Sequence, residues 1–178
     1  ISLPKRVVAD DSVVMQIADL LKTQLQNYLP GKVTAFPNRA VKWTYISEET
    51  GPEFAPAIGI FATDDGYEED YHTISGLNPN GTKAAGHKQL SFDINVQIWL
   101  KGPDRETLAR TLEKWSEGVV AVIDERYDLG GHSVLAEAKR KRPQVQLGGD
   151  RKTGLYAVSE VNVSIMAWVQ QGSTRLIS

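Results

Sequence analysis

A strand followed directly by a helix, in the stretch from Leu90 to Ile123, constrains the fold of this chain more than any other feature. From Leu90 to Lys101 apolar and polar residues alternate, which is the period of a strand with one buried face. Gly102, Pro103 and Asp104 come next, and Asp104 is a candidate helix N-cap. Apolar residues then recur at alternating spacings of four and three, at Leu108, Leu112, Trp115, Val119 and Val122. The stretch predicts a long half-buried strand that leads into a long amphipathic helix.

The remaining elements are one more helix and several shorter strands. A helical stripe begins after Ser12 and ends at Pro30 and Gly31, with apolar positions at Val14, Ile17, Leu21, Leu25 and Tyr28. Alternating or β-branched segments predict strands at 32–36, 41–46, 58–62 and 133–138, and a last strand that ends near 169. Polar, glycine-containing segments predict loops at about 63–89 and at 144–154.

This order of elements, without a βαβ alternation, predicts an α+β fold. We expect a mainly antiparallel β-sheet with two α-helices packed on one face. At 178 residues, 41% of them hydrophobic, the chain has the material for a single domain spanning 1–178. The loop at about 63–89 is longer than most, and we expect it to be flexible and to protrude between two paired strands.

Composition excludes several classes of function. The chain has 20 basic and 22 acidic residues, so it lacks the overall positive charge of a nucleic-acid binder. It has no cysteine, which excludes disulfides, thiolate metal sites and cysteine nucleophiles. Its apolar runs are too short to span a bilayer and the first residues lack the apolar core of a signal peptide, so we expect no membrane contact.

Two short segments resemble ligand loops, but neither has the pattern that the ligand requires. In the segment 76–83, Thr82 precedes Lys83, the reverse of a phosphate loop, and a strand follows where a helix is needed. The acidic run at 63–70 lacks the ligand spacing of a calcium-binding EF-hand. We interpret the first as a plain loop and the second as a solvated or docking surface.

The sequence gives no indication of catalysis. The three histidines, His72, His87 and His132, are predicted to be dispersed in loops and have no metal-ligand spacing. No nucleophile, base and acid stand in a recognisable arrangement. We therefore expect no enzyme activity, catalytic residue, metal or cofactor.

Positive charge is concentrated in one run, at Lys139, Arg140, Lys141 and Arg142, with Arg151 and Lys152 on the following loop. One interpretation is a charged strand end that keeps a sheet edge soluble. The other is contact with a nucleic-acid backbone or with an acidic partner.

Three large apolar residues fall on the polar sides of the two best strands. They are Trp99 on the first and Met166 and Trp168 on the last, in each case near the strand's C-terminal end. Large apolar residues at such positions indicate a partner surface. The alternative is that the chain's own N-terminal tail or a neighbouring loop covers them.

With these elements in order, the chain resembles the tail terminator (tail completion) family of long-tailed bacteriophages, lambda-type. The resemblance rests on the segment Phe54-Ala55-Pro56-Ala57 before a strand, the acidic stretch 64–70 and the alternating strand 92–100. It continues through the helix start at Pro103-Asp104 and the segment Gly154-Leu155-Tyr156 before the last strand, and covers most of residues 10–169.

The resemblance implies a structural virion protein of the tail or neck, assembled in the host cytoplasm. Its subunits would form a closed ring, expected to be a hexamer, that caps the tail tube and joins it to the head–tail connector or stopper protein. DNA would pass through the lumen of the ring, with non-specific contact to its wall.

A ring of identical subunits requires two different, complementary patches on each copy. The candidates are the acidic residues Asp64, Asp65, Glu68, Glu69 and Asp70, the basic run, and the outward residues Trp99, Met166 and Trp168. Two alternatives stay open. The chain resembles neck, head-completion and minor tail proteins of similar fold, and an antiparallel sheet also serves stand-alone ligand-binding or enzymatic domains.

Overall fold

The computed structural model describes residues 12–33, 41–72, 86–102, 104–140, 146–150, 154–170 and 175–176. The helices are α1, Val13–Lys32, and α2, Arg105–Glu125. The strands are β1, Lys42–Thr44; β2, Ala57–His72; β3, His87–Gly102; β4, Val134–Arg140; β5, Gln146–Asp150; and β6, Gly154–Gln170. Two short 3₁₀ turns, Ser47–Glu49 and Pro52–Phe54, connect β1 to β2.

The six strands form one mixed, mostly antiparallel sheet in the order β1-β2-β3-β6-β4. Only the short β1–β2 pair is parallel among the described strands. β3 and β6 pair over their whole lengths and form the centre of the sheet. β5 pairs with the start of β6, on the side of β6 that β4 also occupies, because β3 fills the other side. The predicted α+β class is confirmed.

Both helices pack on the same face of the sheet, against the alternate residues that the sequence predicts to be buried. Asp104 caps α2 as predicted, because the backbone N–H of Thr107 donates to its Oδ2 at 2.9 Å. The predicted stripe of α2 is buried at every position. In β3 the buried residues are Leu90, Phe92, Ile94, Val96, Ile98 and Leu100. The opposite face, called the outer face from here on, carries the polar residues of both central strands.

The predicted loop at about 63–89 is wrong at both ends, since β2 continues to His72 and β3 begins at His87. A long partner strand explains the difference: β3 offers backbone groups along its whole length, and pairing overrides the weak strand propensity of an acidic run. A register shift between Thr63 and Glu68 accommodates the run as a bulge. The remaining part of the predicted loop, 73–85, lies outside the described residues.

The predicted polar loop at 144–154 is wrong at 146–150, which form β5 and pair with the start of β6. Residues 144–145 and 151–153 lie outside the described residues. Gly148, Gly149 and Gly154 allow these two strands to pair. A Cβ at Gly148 would lie 2.3 Å from the ring of Tyr156, so the absence of a side chain lets the ring lie flat across the strand. Gly149 and Gly154 have φ angles of +88° and +91°, which few other residues adopt.

The first helix ends later than predicted, and its buried face includes Leu29 where Tyr28 was predicted. It includes Pro30 and Gly31 and ends at Lys32. Pro30 has no N–H to donate to the preceding turn, and the burial of Leu29 and Val33 in the core offsets that loss. Tyr28, predicted as a core position, is exposed, and the guanidinium of Arg126 lies over its ring. The predicted strand 32–36 is therefore wrong at Lys32, and 34–36 lie outside the described residues.

Candidate interaction surface

The outer face of the sheet carries all three large apolar residues that the sequence places there. Trp99 lies opposite Val158, whereas Trp168 lies opposite Gln89. Gln89 and Trp99 are ten residues apart on one strand, which corresponds to about 34 Å. Because β3 and β6 are antiparallel, their C-terminal ends lie at opposite ends of the face. The three residues therefore form two separate patches.

The Trp99 patch is half covered by the chain itself. The ring of Trp99 lies 5.9 Å from that of Tyr156, and its Nε1–H donates to Gln97 Oε1 at 3.3 Å. Nearby, a Cβ at Gly59 would lie 2.3 Å from the Phe61 ring and 2.9 Å from a methyl group of Thr50, so these side chains press against the sheet. The alternative prediction, that a neighbouring segment of the chain covers these apolar residues, agrees in part with the structure at the Trp99 patch.

The second patch, at the other end of the face, is more open. Met166 is 36% exposed, its neighbour on β4, Leu135, is 47% exposed, and Tyr127 beside them is 54% exposed. They line an open groove of about 430 Å³, with Asp93 and Glu137 also lining it. Sequence analysis found Met166 but missed Leu135 and Tyr127. The run Val134-Leu135-Ala136 indicates an apolar residue on the outer face, because three consecutive apolar residues in a strand place at least one there.

Trp168 borders a second open depression next to this groove, of about 460 Å³. Its lining includes His87, His132 and Asp128. The prediction that the histidines are dispersed in loops is wrong for His87 and His72, which lie opposite each other on β3 and β2. Asp128 Oδ1 accepts the backbone N–H of Gly130 at 3.2 Å. No cluster of three or more potential metal ligands occurs among the residues that the structure describes.

The acidic run lies on β2, which follows β1 at one edge of the sheet. Glu68 and Glu69 are exposed. Glu69 forms an ion pair with Lys88 on the neighbouring strand at 3.6 Å and accepts a hydrogen bond from the Tyr67 hydroxyl at 2.7 Å. The side chains of Asp64, Asp65 and Asp70 lie outside the described residues.

The basic run begins inside β4, at the opposite edge, rather than after it. Strand alternation sends its first two side chains to different faces. Arg140 reaches the helix side and pairs with Glu113 and, at 4.0 Å, with Glu117, both on α2. Lys139 stays 73% exposed, 3.8 Å from Glu137. Lys141, Arg142, Arg151 and Lys152 lie outside the described residues.

The chain was also compared with known proteins. No protein-family model matches it, and no curated protein sequence matches it. Neither of the described helices is both long enough and apolar enough to cross a membrane.

Proposed function

We propose that this chain is the subunit of a homo-oligomeric ring, a virion protein that caps a phage tail tube and joins the tail to the head connector. The sequence resemblance to tail terminators suggests the role. The placement of charge on the sheet supports it independently, since that placement suits contact between identical copies.

The observation that carries the proposal is that the acidic run and the start of the basic run lie at opposite edges of one sheet. Glu68 is exposed on β2, where its neighbour Glu69 pairs with Lys88. Lys139 is exposed on β4, 3.8 Å from Glu137. A ring is built from heterologous contacts, in which one patch of a subunit meets a different patch of the next. Edges of unlike charge attract each other, whereas like edges repel, which favours head-to-tail contact over two-fold pairing.

The two apolar patches of the outer face would serve the axial partners. A ring between tube and connector has a different partner on each side, and this face has a half-covered patch at Trp99 and an open groove at Met166. An apolar centre with a polar rim is typical of protein contacts, and Leu135 and Met166 with Glu137 beside them fit that arrangement. Of the two described residues of the basic run, Lys139 is the exposed one that could make non-specific contact with passing DNA, because carboxylates on α2 hold Arg140.

The mass of the purified chain in solution, followed by electron microscopy with and without purified tail tubes, tests the proposal. We expect a closed ring, either free or formed on the end of the tube. Trp168→Ala should weaken capping of the tube, because it removes the aromatic ring beside the open groove. Tyr28→Ala, which removes an exposed aromatic residue from α1 on the helix side, is the matched control and should cap normally.

Two results would contradict the proposal. A chain that stays monomeric at high concentration, and on tail tubes, does not form the ring. A ring that binds completed heads but not tails would instead assign the chain to the neck, the alternative that the resemblance leaves open.

A further inference from the structure

The open end of the outer face is built from three successive rows of side chains that cross β4 and β6. In order along β4, the aromatic row, the apolar row and the acidic row are Ser133 and Trp168; Leu135 and Met166; Glu137, Ser164 and, on β3, Asp93. Neighbouring rows are two residues apart along a strand, which corresponds to about 7 Å. The groove therefore changes from apolar to acidic along its length.

The acidic row has room for a cation. Among the described residues no hydrogen bond or ion pair reaches the carboxylate of Asp93, which is half-buried. Glu137 lies 3.8 Å from Lys139, but both side chains are more than 70% exposed, and so exposed an ion pair contributes little. Asp93 and Glu137 are two strand spacings apart, about 10 Å, with the small Ser164 between them. A lysine side chain above Ser164 would lie between two carboxylates.

The other two rows offer apolar contacts beside this acidic row. Leu135 and Met166 are exposed, and the depression that Trp168 borders shares Leu135 with the groove. Exposed apolar area next to open carboxylates is complementary to a segment that is both apolar and basic.

The first residues of the sequence have this pattern. Residues 1–11 lie outside the described residues, but their sequence places Ile1, Leu3 and Lys5 at alternate positions. Alternate side chains of an extended segment point to one side and are also about 7 Å apart, and a proline at position 4 favours an extended residue before it. An extended segment parallel to β4 thus matches apolar, apolar and basic residues to the aromatic, apolar and acidic rows.

The position of α1 indicates which copy such a segment would meet. α1 packs on the β2 side of the sheet, where the Tyr45 hydroxyl, just after β1, donates to Asp19, whereas α2 covers β6 and β4. The start of α1 and the groove therefore lie toward opposite edges. In a ring that joins the β2 edge of one copy to the β4 edge of the next, the start of α1 faces the neighbour's groove. Lys5 can lie up to about 25 Å from Ser12, the first described residue.

We propose that the groove binds residues 1–6 of a neighbouring copy. Leu3 lies on the apolar row, and Lys5 lies between the two carboxylates of the acidic row. The inference rests on the proposed function, for which it supplies a contact between subunits. A segment of one copy meets a different patch of the next, so the contact is heterologous, and a constant rotation between copies closes the ring. The axial partner at this end then meets the docked segment together with Trp168.

Thiol cross-linking tests the contact, because the chain has no cysteine of its own. Backbones that pack face to face lie about 10 Å apart, beyond the range of a disulfide, so the reagent is a short bismaleimide. The double variant Leu3→Cys/Leu135→Cys, with tail tubes present if the ring requires them, should give a ladder of covalent oligomers on a denaturing gel. Leu3→Cys/Lys114→Cys, whose second thiol lies on the exposed side of α2, is the matched control and should give no ladder.

The single variants make the test directional. An equimolar mixture of Leu3→Cys and Leu135→Cys should give a covalent dimer and nothing larger. A bridge within one copy would place the segment on its own groove, and cross-linking of Leu135→Cys with itself would indicate a two-fold contact, and either result would overturn the inference. Rings that form without a ladder would also overturn it, while the proposed function would stand. Cross-linked rings that do not bind tail tubes would contradict the proposed function alone.

A charge swap in the double-cysteine chain tests the acidic row. Asp93→Lys should lower the yield of the ladder about tenfold, because it sets a like charge against Lys5. Adding Lys5→Asp should restore the yield, since the two charges are opposite again. Asp124→Lys, the same reversal at an exposed position of α2, is the control and should cross-link fully. All variants should melt close to the parent, and a folded swap variant whose yield stays low would overturn the inference.

Discussion

The hydroxyl groups of Ser116 and Ser159 meet inside an otherwise apolar layer between α2 and the sheet. Their oxygens are 2.8 Å apart, and the Ser116 hydroxyl also lies 2.8 Å from Leu112 O, which accepts from it. Both residues are buried. A buried hydroxyl without a partner is unfavourable, so the two residues satisfy each other at the contact between helix and sheet.

Removing either hydroxyl should lower the free energy of unfolding, but by different amounts. Ser159→Ala leaves Ser116 bonded to Leu112 and should cost about 1 kcal/mol. Ser116→Ala leaves Ser159 buried without its partner and should cost about 1–3 kcal/mol. The double variant should be no less stable than Ser116→Ala, because both partners are then absent. Urea denaturation measures all three, and strictly additive losses would contradict this account.

Asp104 links the stability of the chain to pH. The hydroxyl and the backbone N–H of Thr107 both donate to its carboxylate, and they hold the pKa of Asp104 below its ordinary value of 3.8. A carboxyl whose pKa is lower in the folded chain stabilises the fold above the unfolded pKa, and this contribution disappears as the pH falls through the folded pKa.

Asp104→Asn should therefore melt below the wild type at pH 7, and the gap should close below pH about 4. Asparagine can still cap the helix, so the comparison isolates the charge. Asp104→Ala removes the cap as well and should melt lower than Asp104→Asn at neutral pH. A gap between wild type and Asp104→Asn that persists unchanged down to pH about 2 would show that the cap charge is not responsible.

Among the elements, the two helices pack tightly against each other at Gly118 of α2. A Cβ at this position would lie 3.0 Å from Leu29 Cδ1 and 3.0 Å from Val33 Cγ2, both on or next to α1. The absence of a side chain therefore sets the distance between the helices.

Gly118→Ala should change the stability by no more than about 1 kcal/mol, because the gain in helix propensity offsets the tight contact. Gly118→Val adds two more carbons to a filled space and should cost about 1–3 kcal/mol. Lys114→Val, a β-branched substitution on the exposed side of the same helix, is the control and should cost less. Equal losses for both valine variants in urea denaturation would mean that packing at Gly118 is not the cause.

The elements that the sequence predicts well are those whose periodicity comes from one buried face. β3 from Leu90 onward, α2 and β6 follow this rule. The second half of β2 and all of β5 do not, because pairing with a long neighbour and a ring lying over Gly148 hold them as strands. Both causes are contacts between two strands, which the pattern within one segment does not contain.

The sequence likewise predicts only part of the candidate surface. Alternation along β3 and β6 correctly places Trp99, Met166 and Trp168 on the outer face. Trp99 and Trp168 lie at opposite ends of this face because of the register between β3 and β6. Leu135 lies beside Met166 because β4 pairs with β6. Non-local pairing decides both.

At the scale of the whole molecule, the strand order separates the two charged runs. Glu68 and Lys139 lie on β2 and β4, with the two central strands between them, although sequence alone leaves their relative positions open. If unlike edges draw copies together, association should weaken as salt rises, because the Debye length falls below 10 Å above about 0.1 M. Sedimentation velocity across a salt series measures the effect.

Reversing the exposed charge on one edge gives the sharpest form of this prediction. Lys139→Glu should weaken association about tenfold at low salt, as expected for replacing an attractive charge at the rim of a contact with a repulsive one, and it should flatten the salt dependence. Lys114→Glu makes the same change of charge on the exposed side of α2, outside the strands, and should behave as the wild type. Because Lys139 is 73% exposed, neither variant should lose thermal stability, so weaker association would report the contact and not the fold. Equal losses from both variants would mean that net charge, rather than the β4 edge, controls assembly.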